Sequence, residues 1–397
     1  MKYYCKLPSV HYEVKANGHV APCCVSKTEY KDENGIPYNV SKTDIFEILN
    51  SKHATQIRND LLQDKPVKGC DQCYFEDKQP GAVSRRVREN NHFKEFSTTG
   101  DFVHRYVDLK LGNTCNNACM ICSPDLSSKW AEQYSQANWK FDRTNNNKNF
   151  KWYENQQYWD DLLDNIDEIT NIDIYGGEPF LIKQQWKFIE KLVELGHSEH
   201  IILNYATNGT VYPQHAIENL WPKFKKVSLI FSSDGIKDVH DYSRWPSKWE
   251  LFETNLRKFC DNGFVPYIGF SISNYSVWDI TRSLEYYYNN FKHYDNFKIW
   301  FNNVYNSGSD IACLPAELKE LLIDRLTKEW DDKYKSIMHS EKTIESIISH
   351  IKQDAVVDKR IASEDKWESF VKRVQTFDKI RNLKIEDVVP EYKGYIK

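Results

Sequence analysis

Short runs of alternating apolar and polar residues recur through the middle of the chain, separated by stretches of helical periodicity. Tyr106-Val107-Asp108-Leu109-Lys110-Leu111 is the first of the series, and such alternation marks a strand with one buried face. Strands are expected at 105–111, 171–175, 200–206, 226–232, 265–273 and 297–303. Helices fall between them, for example Ile182 to Leu195 and Lys248 to Asn262. Strands and helices in alternation make parallel βα units, so the fold class is α/β.

The flanks are patterned differently. Val10-His11-Tyr12-Glu13-Val14-Lys15 and His19-Val20-Ala21-Pro22 surround Asn17-Gly18. Asn-Gly between two such runs predicts a hairpin, because both central residues of a type I′ turn need positive φ. That hairpin returns Cys23 and Cys24 towards Cys5. A helix is expected across Asp44 to Leu62, with Ile45, Ile48, Leu49, Ile57 and Leu61 on its apolar face. Beyond residue 312, three helical sets are expected. Leu318, Leu321, Leu322, Leu326 and Trp330 form the first; Ile344, Ile347, Ile348 and Ile351 the second; Trp367, Phe370, Val371 and Val374 the third. They pack on the core or close its open end, with a partner-binding surface as the alternative.

Composition narrows the class without naming a ligand. The 397 residues are 40% hydrophobic and 28% charged, ordinary for a globular protein. A net charge of −4 gives no global basic field, so nucleic acid is not an expected partner. No apolar run reaches the ~18 residues of a membrane span. The start, Met1-Lys2-Tyr3-Tyr4-Cys5, lacks the apolar core of a signal peptide, and the expected compartment is cytoplasmic. Eight of the ten cysteines precede residue 123 at ligand-like spacings, a distribution that suits metal binding better than disulfides.

Cys115, Cys119 and Cys122 follow the first βα strand. Three thiolates on one loop can hold three irons of a 4Fe–4S cube. The absence of a fourth Cys suggests a coordination position kept for a substrate or cofactor. Upstream, Cys70-Asp71-Gln72-Cys73, with one Cys from each end of the hairpin, makes a four-thiolate set that suits zinc or an iron–sulfur cluster equally. The run Ser84-Arg85-Arg86-Val87-Arg88 reads as a solvated helix face. Residues 136–155, rich in Asn around Thr144 to Lys148, read as a loop or lid edge. Cys260 reads as a small buried hydrophobe, and Cys313 as a residue that faces the cavity.

The spacing C-x3-C-x2-C resembles the signature of the radical S-adenosylmethionine (radical SAM) superfamily, and the segments after it sharpen the resemblance. Gly176-Gly177-Glu178-Pro179 ends the second strand, Thr207-Asn208-Gly209 the third, and Ser232-Ser233-Asp234-Gly235 the fourth, before His240-Asp241-Tyr242-Ser243-Arg244. These look like the family's GGEP, TNG and S-x-DG…H-D-x-x-R elements. C…NG-x-x-x-PCC…C-x-x-C resembles the SPASM/twitch auxiliary-cluster modules, with two departures. The module precedes the core, and its cysteines suffice for one cluster.

The resemblance implies a partial (β/α)6 TIM-like barrel, 101–312, with a small N-terminal cluster-binding module, 1–100, and C-terminal helices, 313–397. It assigns a 4Fe–4S cluster to Cys115, Cys119 and Cys122, and an auxiliary 4Fe–4S cluster to Cys5, Cys23, Cys70 and Cys73. Cys23 is preferred over Cys24 because it follows Pro22 as in the family. S-adenosylmethionine then falls to Ile121, Gly176, Gly177, Glu178, Pro179, Thr207, Asn208, Ser233, Asp234 and Arg244. Ile121 stands where the family commonly has an aromatic residue. Glu178 is expected to meet the cofactor's amine and Arg244 its carboxylate. His240 is read as structural. The implied activity is reductive cleavage of S-adenosylmethionine to a 5′-deoxyadenosyl radical that takes a substrate hydrogen. A peptide or protein side chain is the favoured substrate, and flavodoxin or ferredoxin a suitable electron donor. The alternatives are a nucleotide, sugar or other small-molecule substrate, and a structural zinc or iron–sulfur module without activity.

Overall fold

The computed structural model describes residues 2–78, 83–96, 98, 100–139, 150–305, 308–339, 344–353 and 363–397. The heart of the expected Asn-rich lid edge, 140–149, lies outside the described residues. Two compact units are present. The first comprises Met1–Thr114, Asn149–Tyr205 and Pro213–Val227, and the second Cys115–Lys148, Ala206–Tyr212 and Ser228–Lys397.

In the first unit β1 (His11–Val14), β2 (Val20–Ala21), β3 (Tyr106–Leu111), β4 (Asn171–Gly176) and β5 (Ile202–Thr207) lie in the order β2-β1-β3-β4-β5. β1 and β2 are the antiparallel arms of the expected hairpin, while β1, β3, β4 and β5 run parallel. Gly18 alone takes a positive φ in the turn, at 84°. Lys15 N–H donates to His19 O and Gly18 N–H to Lys15 O, so the connection is a three-residue loop closed by a left-handed Gly, not a type I′ turn. The expected helix 44–62 is two, Ile45–Leu49 and Lys52–Leu62. Ser51 ends the first and caps the second by accepting from Ala54 N–H.

β1 is more than a hairpin arm. It pairs with β3 in the register His11↔Tyr106 and Glu13↔Asp108, so the N-terminal segment contributes a strand to the core sheet. The pattern explains it: Tyr12 and Val14 are fully buried on one face, and alternation sends His11 and Glu13 to the other. β4 and β5 keep the same two faces. Ile172, Ile174, Leu203 and Tyr205 are buried, whereas Asp173, Tyr175 and Asn204 are half-buried. Tyr205 OH donates to Gln185 at 2.7 Å, tethering the helix Lys183–Glu194 over the apolar face.

In the second unit β6 (Lys226–Ser233), β7 (Tyr267–Ile272) and β8 (Lys298–Asn303) pair in parallel. The helices Trp249–Asp261 and Ile280–Phe291 follow β6 and β7. Phe231, Phe252, Phe259 and Phe270 are buried among them. β3 to β8 with their helices are the expected parallel βα units of an α/β chain. The C-terminal helices Ala316–Glu329, Ile344–Lys352 and Ser363–Arg381 carry the three expected apolar sets, except that Leu321 is exposed and Trp330 lies just past the end of the first helix. No helix among the described residues is long and apolar enough to cross a membrane.

Candidate functional site

Four thiols of the first unit meet. Cys5, Cys23, Cys70 and Cys73 line one cavity together with Leu61, Tyr74, Arg85 and Arg86. Cys70 caps the helix Asp71–Glu76, which places Cys73 one turn further on the same wall. Cys24 does not line this cavity; it lies among the charges of Arg85, Asp108, Glu13 and Lys110. Burial pushes the Cys5 thiol up to about 12 and Cys70 to about 11. Thiolates are therefore costly there without a bound positive charge, which is the environment a metal cluster satisfies. Among the described residues no three His, Cys, Asp or Glu side chains are close enough to share a single metal ion. The thiols surround a space instead.

The arginine run after them is not a solvated face. Arg86 is 8% exposed; it pairs with Asp77 at 2.5 Å and donates to Tyr4 O at 2.9 Å. Arg85 donates to Tyr106 OH at 3.1 Å and to Asp108 Oδ2 at 3.3 Å. Both turn towards partners within the unit, and only Arg88 remains half-exposed.

The three-thiol loop belongs to the second unit, and its backbone is held from several directions. Ala118 N–H donates to Trp245 O and Met120 N–H to Ser243 O, both at 2.7 Å. Trp130 Nε1 donates to Cys119 O at 2.7 Å, and Ser127 Oγ to Asn117 O at 2.5 Å. From the last long helix, Arg373 donates to Met120 O and Cys122 O at 3.2 and 2.9 Å. Arg381 donates to Ala118 O at 2.8 Å, and both guanidinium groups lie over the Trp130 ring. Sequence reasoning missed these two arginines. Their signal was there, as Arg373, Phe377 and Arg381 form one helical stripe at spacing four.

Of the expected cofactor residues of this unit, Asn208, Asp234 and Arg244 lie near the loop's thiols. Asn208 Nδ2 donates to Asn116 Oδ1 at 2.8 Å and lies 4.0 Å from Cys115 Sγ. Thr207 Oγ1 accepts from Gly209 N–H. Ser233 Oγ donates to Gly235 O and accepts from Tyr287 OH. Arg244 Nη1 donates to Asp234 Oδ2 at 2.6 Å. Burial lowers the Arg244 guanidinium, but the negative charge of a Cys119 thiolate and of Asp234 more than compensates and holds it above its ordinary value. Asp234 Oδ1 and Arg244 Nε are buried without a hydrogen-bond partner among the described residues, so an acceptor and a donor remain beside Cys119 for a ligand. Ile121 is half-buried.

Gly176, Gly177, Glu178 and Pro179 belong to the first unit. A Cβ on Gly177 would fall 2.2 Å from Thr114 O, and one on Gly176 2.6 Å from Leu111 N. The room the glycines leave is taken by the backbone of the segment leading to Cys115, not by a ligand. Glu178 N–H donates to Thr114 O at 2.8 Å, and its carboxylate accepts from Phe180 N–H. Glu178 and Pro179 are both buried.

The remaining candidates are structural. His240 is fully buried against Trp249 and Phe252, and burial lowers it well below its usual range. Cys260 is buried in its helix. Cys313 is buried too and accepts from Asn274 Nδ2 at 3.2 Å.

Comparison with known proteins adds a family to part of this picture. The model of the SPASM iron–sulfur cluster-binding domain matches residues 5–74. No curated protein matches the chain. Solved structures with partial likeness include hexahistidine-tagged anSMEcpe with bound AdoMet, at 17% identity and a TM-score of 0.41 over 57% of this chain and 57% of that one. Streptococcus suis SuiB bound to precursor peptide SuiA has 13% identity and a TM-score of 0.36 over 81% and 69%. Methylornithine synthase (PylB) has 13% identity and a TM-score of 0.35 over 83% and 93%. The chain thus spans little more than half the length of the first of these. The segment that matches the SPASM iron–sulfur cluster-binding domain model, residues 5–74, contains all four cavity-lining thiols.

Proposed function

We propose that the chain is a radical SAM enzyme acting on a peptide or protein side chain, with residues 1–100, 101–312 and 313–397 as auxiliary-cluster, catalytic and supporting segments. The observation that carries the reading is the three-thiol loop with Arg244 and Asp234 beside it, each offering an unpartnered buried atom. Cys115, Cys119 and Cys122 would hold one 4Fe–4S cluster; Cys5, Cys23, Cys70 and Cys73 would hold the auxiliary one. The match to an iron–sulfur cluster-binding domain at residues 5–74 supports a cluster there over a zinc ion.

The loop's thiols would hold a cluster that, with S-adenosylmethionine bound beside it, would supply radical hydrogen-abstraction chemistry. The chain's own residues bind and orient. Arg244 offers Nε to a carboxylate, Asp234 offers Oδ1 to a donor, and Thr207, Asn208, Ser233 and Ile121 complete that wall. Gly176, Gly177, Glu178 and Pro179 keep the amino-group role the resemblance assigns them. Arg373 and Arg381 fix the loop so that its thiols present one geometry. A peptide substrate, a flavodoxin- or ferredoxin-type electron donor and a cytoplasmic setting belong to the same reading. What supports the substrate class is the SPASM match at residues 5–74, since peptide modification is the activity that the resemblance to SPASM/twitch enzymes implies.

The test is anaerobic reconstitution with iron and sulfide, reduction, and chromatography for 5′-deoxyadenosine, with and without candidate peptides. The expected protein is brown and releases deoxyadenosine, faster with its substrate. A colourless zinc protein that leaves S-adenosylmethionine intact would return the chain to a structural metal module.

A further inference from the structure

The polar face of the first unit carries one cross-strand row whose composition needs a reason. Register places Glu13 beside Asp108, Asp108 beside Asp173, and Asp173 beside Asn204. Strands in a sheet are ~4.8 Å apart, so three carboxylates stand side by side across β1, β3 and β4. Like charges directly opposite one another oppose folding, and a row of them is not what packing alone selects.

The charges are not fully balanced within the chain. Asp108 is paired twice, with His11 Nε2 at 3.2 Å and Arg85 at 3.3 Å. Glu13 Oε1 meets Lys110 Nζ at 2.5 Å, but Glu13 Oε2, on a side chain with no exposed surface, has no hydrogen-bond partner among the described residues. Asp173 meets only neutral donors, Tyr106 OH and Asn204 Nδ2, each at 2.6 Å. No cation lies within ion-pair distance of Asp173 among the described residues, and Asp173, Tyr175 and Asn204 are half-buried, open to a ligand on that face. One accessible carboxylate without a counter-charge and one buried carboxylate oxygen without a donor lie in the same row.

We propose that this row binds a cationic group of the substrate, an ammonium or guanidinium of the kind a lysine or arginine side chain carries. Asp173 supplies the counter-charge, Asn204 and Tyr106 orient its carboxylate, and Glu13 Oε2 accepts a further N–H. The identification of the cation's carrier as a peptide rests on the function proposed above; the cation site itself does not.

The experiment is calorimetric binding to the full, cluster-loaded chain under anaerobic conditions, without reductant. The probes are Nα-acetyl-lysine methylamide, the arginine equivalent, the uncharged norleucine equivalent and the glutamate equivalent. One or both cationic probes should bind at least about tenfold tighter than norleucine, the better of the two telling ammonium from guanidinium. Asp173→Asn should abolish that preference, and Glu13→Gln should reduce it, which keeps the test open if the first variant folds poorly. Equal binding of lysine, arginine and norleucine probes, tighter binding of glutamate, or a preference that survives both substitutions would overturn the proposal. Deoxyadenosine release is scored separately. Cation preference without release sinks the enzymatic reading alone, and release without preference sinks the cation site alone.

Discussion

The two cysteine regions bring their thiols together by opposite routes. In the first unit the four thiols come from three separate stretches, at Cys5, at Cys23, and at Cys70 with Cys73, and only folding makes them neighbours. In the second unit the three thiols come from one short loop, Cys115 to Cys122, and sequence alone makes them neighbours. Folding there does something else: side chains from Trp130, Arg373 and Arg381 seize the loop's carbonyls and fix its shape. A ligand set written in consecutive residues needs an external brace, whereas one assembled from distant segments is braced by the fold that assembles it.

The largest contrast should come from removing one thiol on each side. Cys119→Ala is expected to reduce deoxyadenosine release to background, while Cys73→Ala should leave some cleavage uncoupled from substrate. Comparable release from both variants, measured by chromatography, would erase the functional distinction between the regions. Within the first unit, Cys23→Ser should lower the iron content from about eight to about four per chain, and Cys24→Ser should leave it unchanged. A loss in the second variant would mean that the cavity wall does not define the ligand set.

Smaller effects test the brace. Arg381→Met leaves the buried Ala118 carbonyl without its donor, a loss of about 1–3 kcal/mol, read as a lower midpoint in thermal unfolding. An unchanged midpoint would show that Trp130 and Arg373 suffice.

A further effect depends on pH. Burial and the neighbouring Asp108 carboxylate push the Asp173 carboxyl up to about 7, against the hydrogen bonds from Tyr106 and Asn204. The native state therefore holds this proton more tightly than the unfolded chain, and its contribution to stability falls as pH rises from about 4 through 7. Asp173→Asn should raise the unfolding midpoint relative to the parent at pH 8 and not at pH 4. A difference independent of pH would remove the case for a half-buried carboxylate without a counter-charge.

Much of this was legible in the chain. The six strands at 105–303, the two long helices after β4 and β6, and the three C-terminal apolar sets follow from periodicity, which reports one residue's face relative to the next. The cysteine spacings were equally legible, because Cys115, Cys119 and Cys122 are local and Cys70 and Cys73 occupy one helical turn. The single helix expected at 44–62 failed because Ser51 offers a cap that competes with continuation, and apolar spacing does not register caps.

Local pattern determined which elements form and which residue types are available for metal chemistry. Tertiary structure decided two things that no local pattern contains: that β1 lies parallel to β3 and carries Glu13 into a row with Asp108 and Asp173, and that Arg373 and Arg381 hold the loop of Cys119. Each is a choice of neighbour across a long stretch of chain. Such choices are made by register and burial summed over the whole unit, so they become readable only when the partner strand or helix is in place.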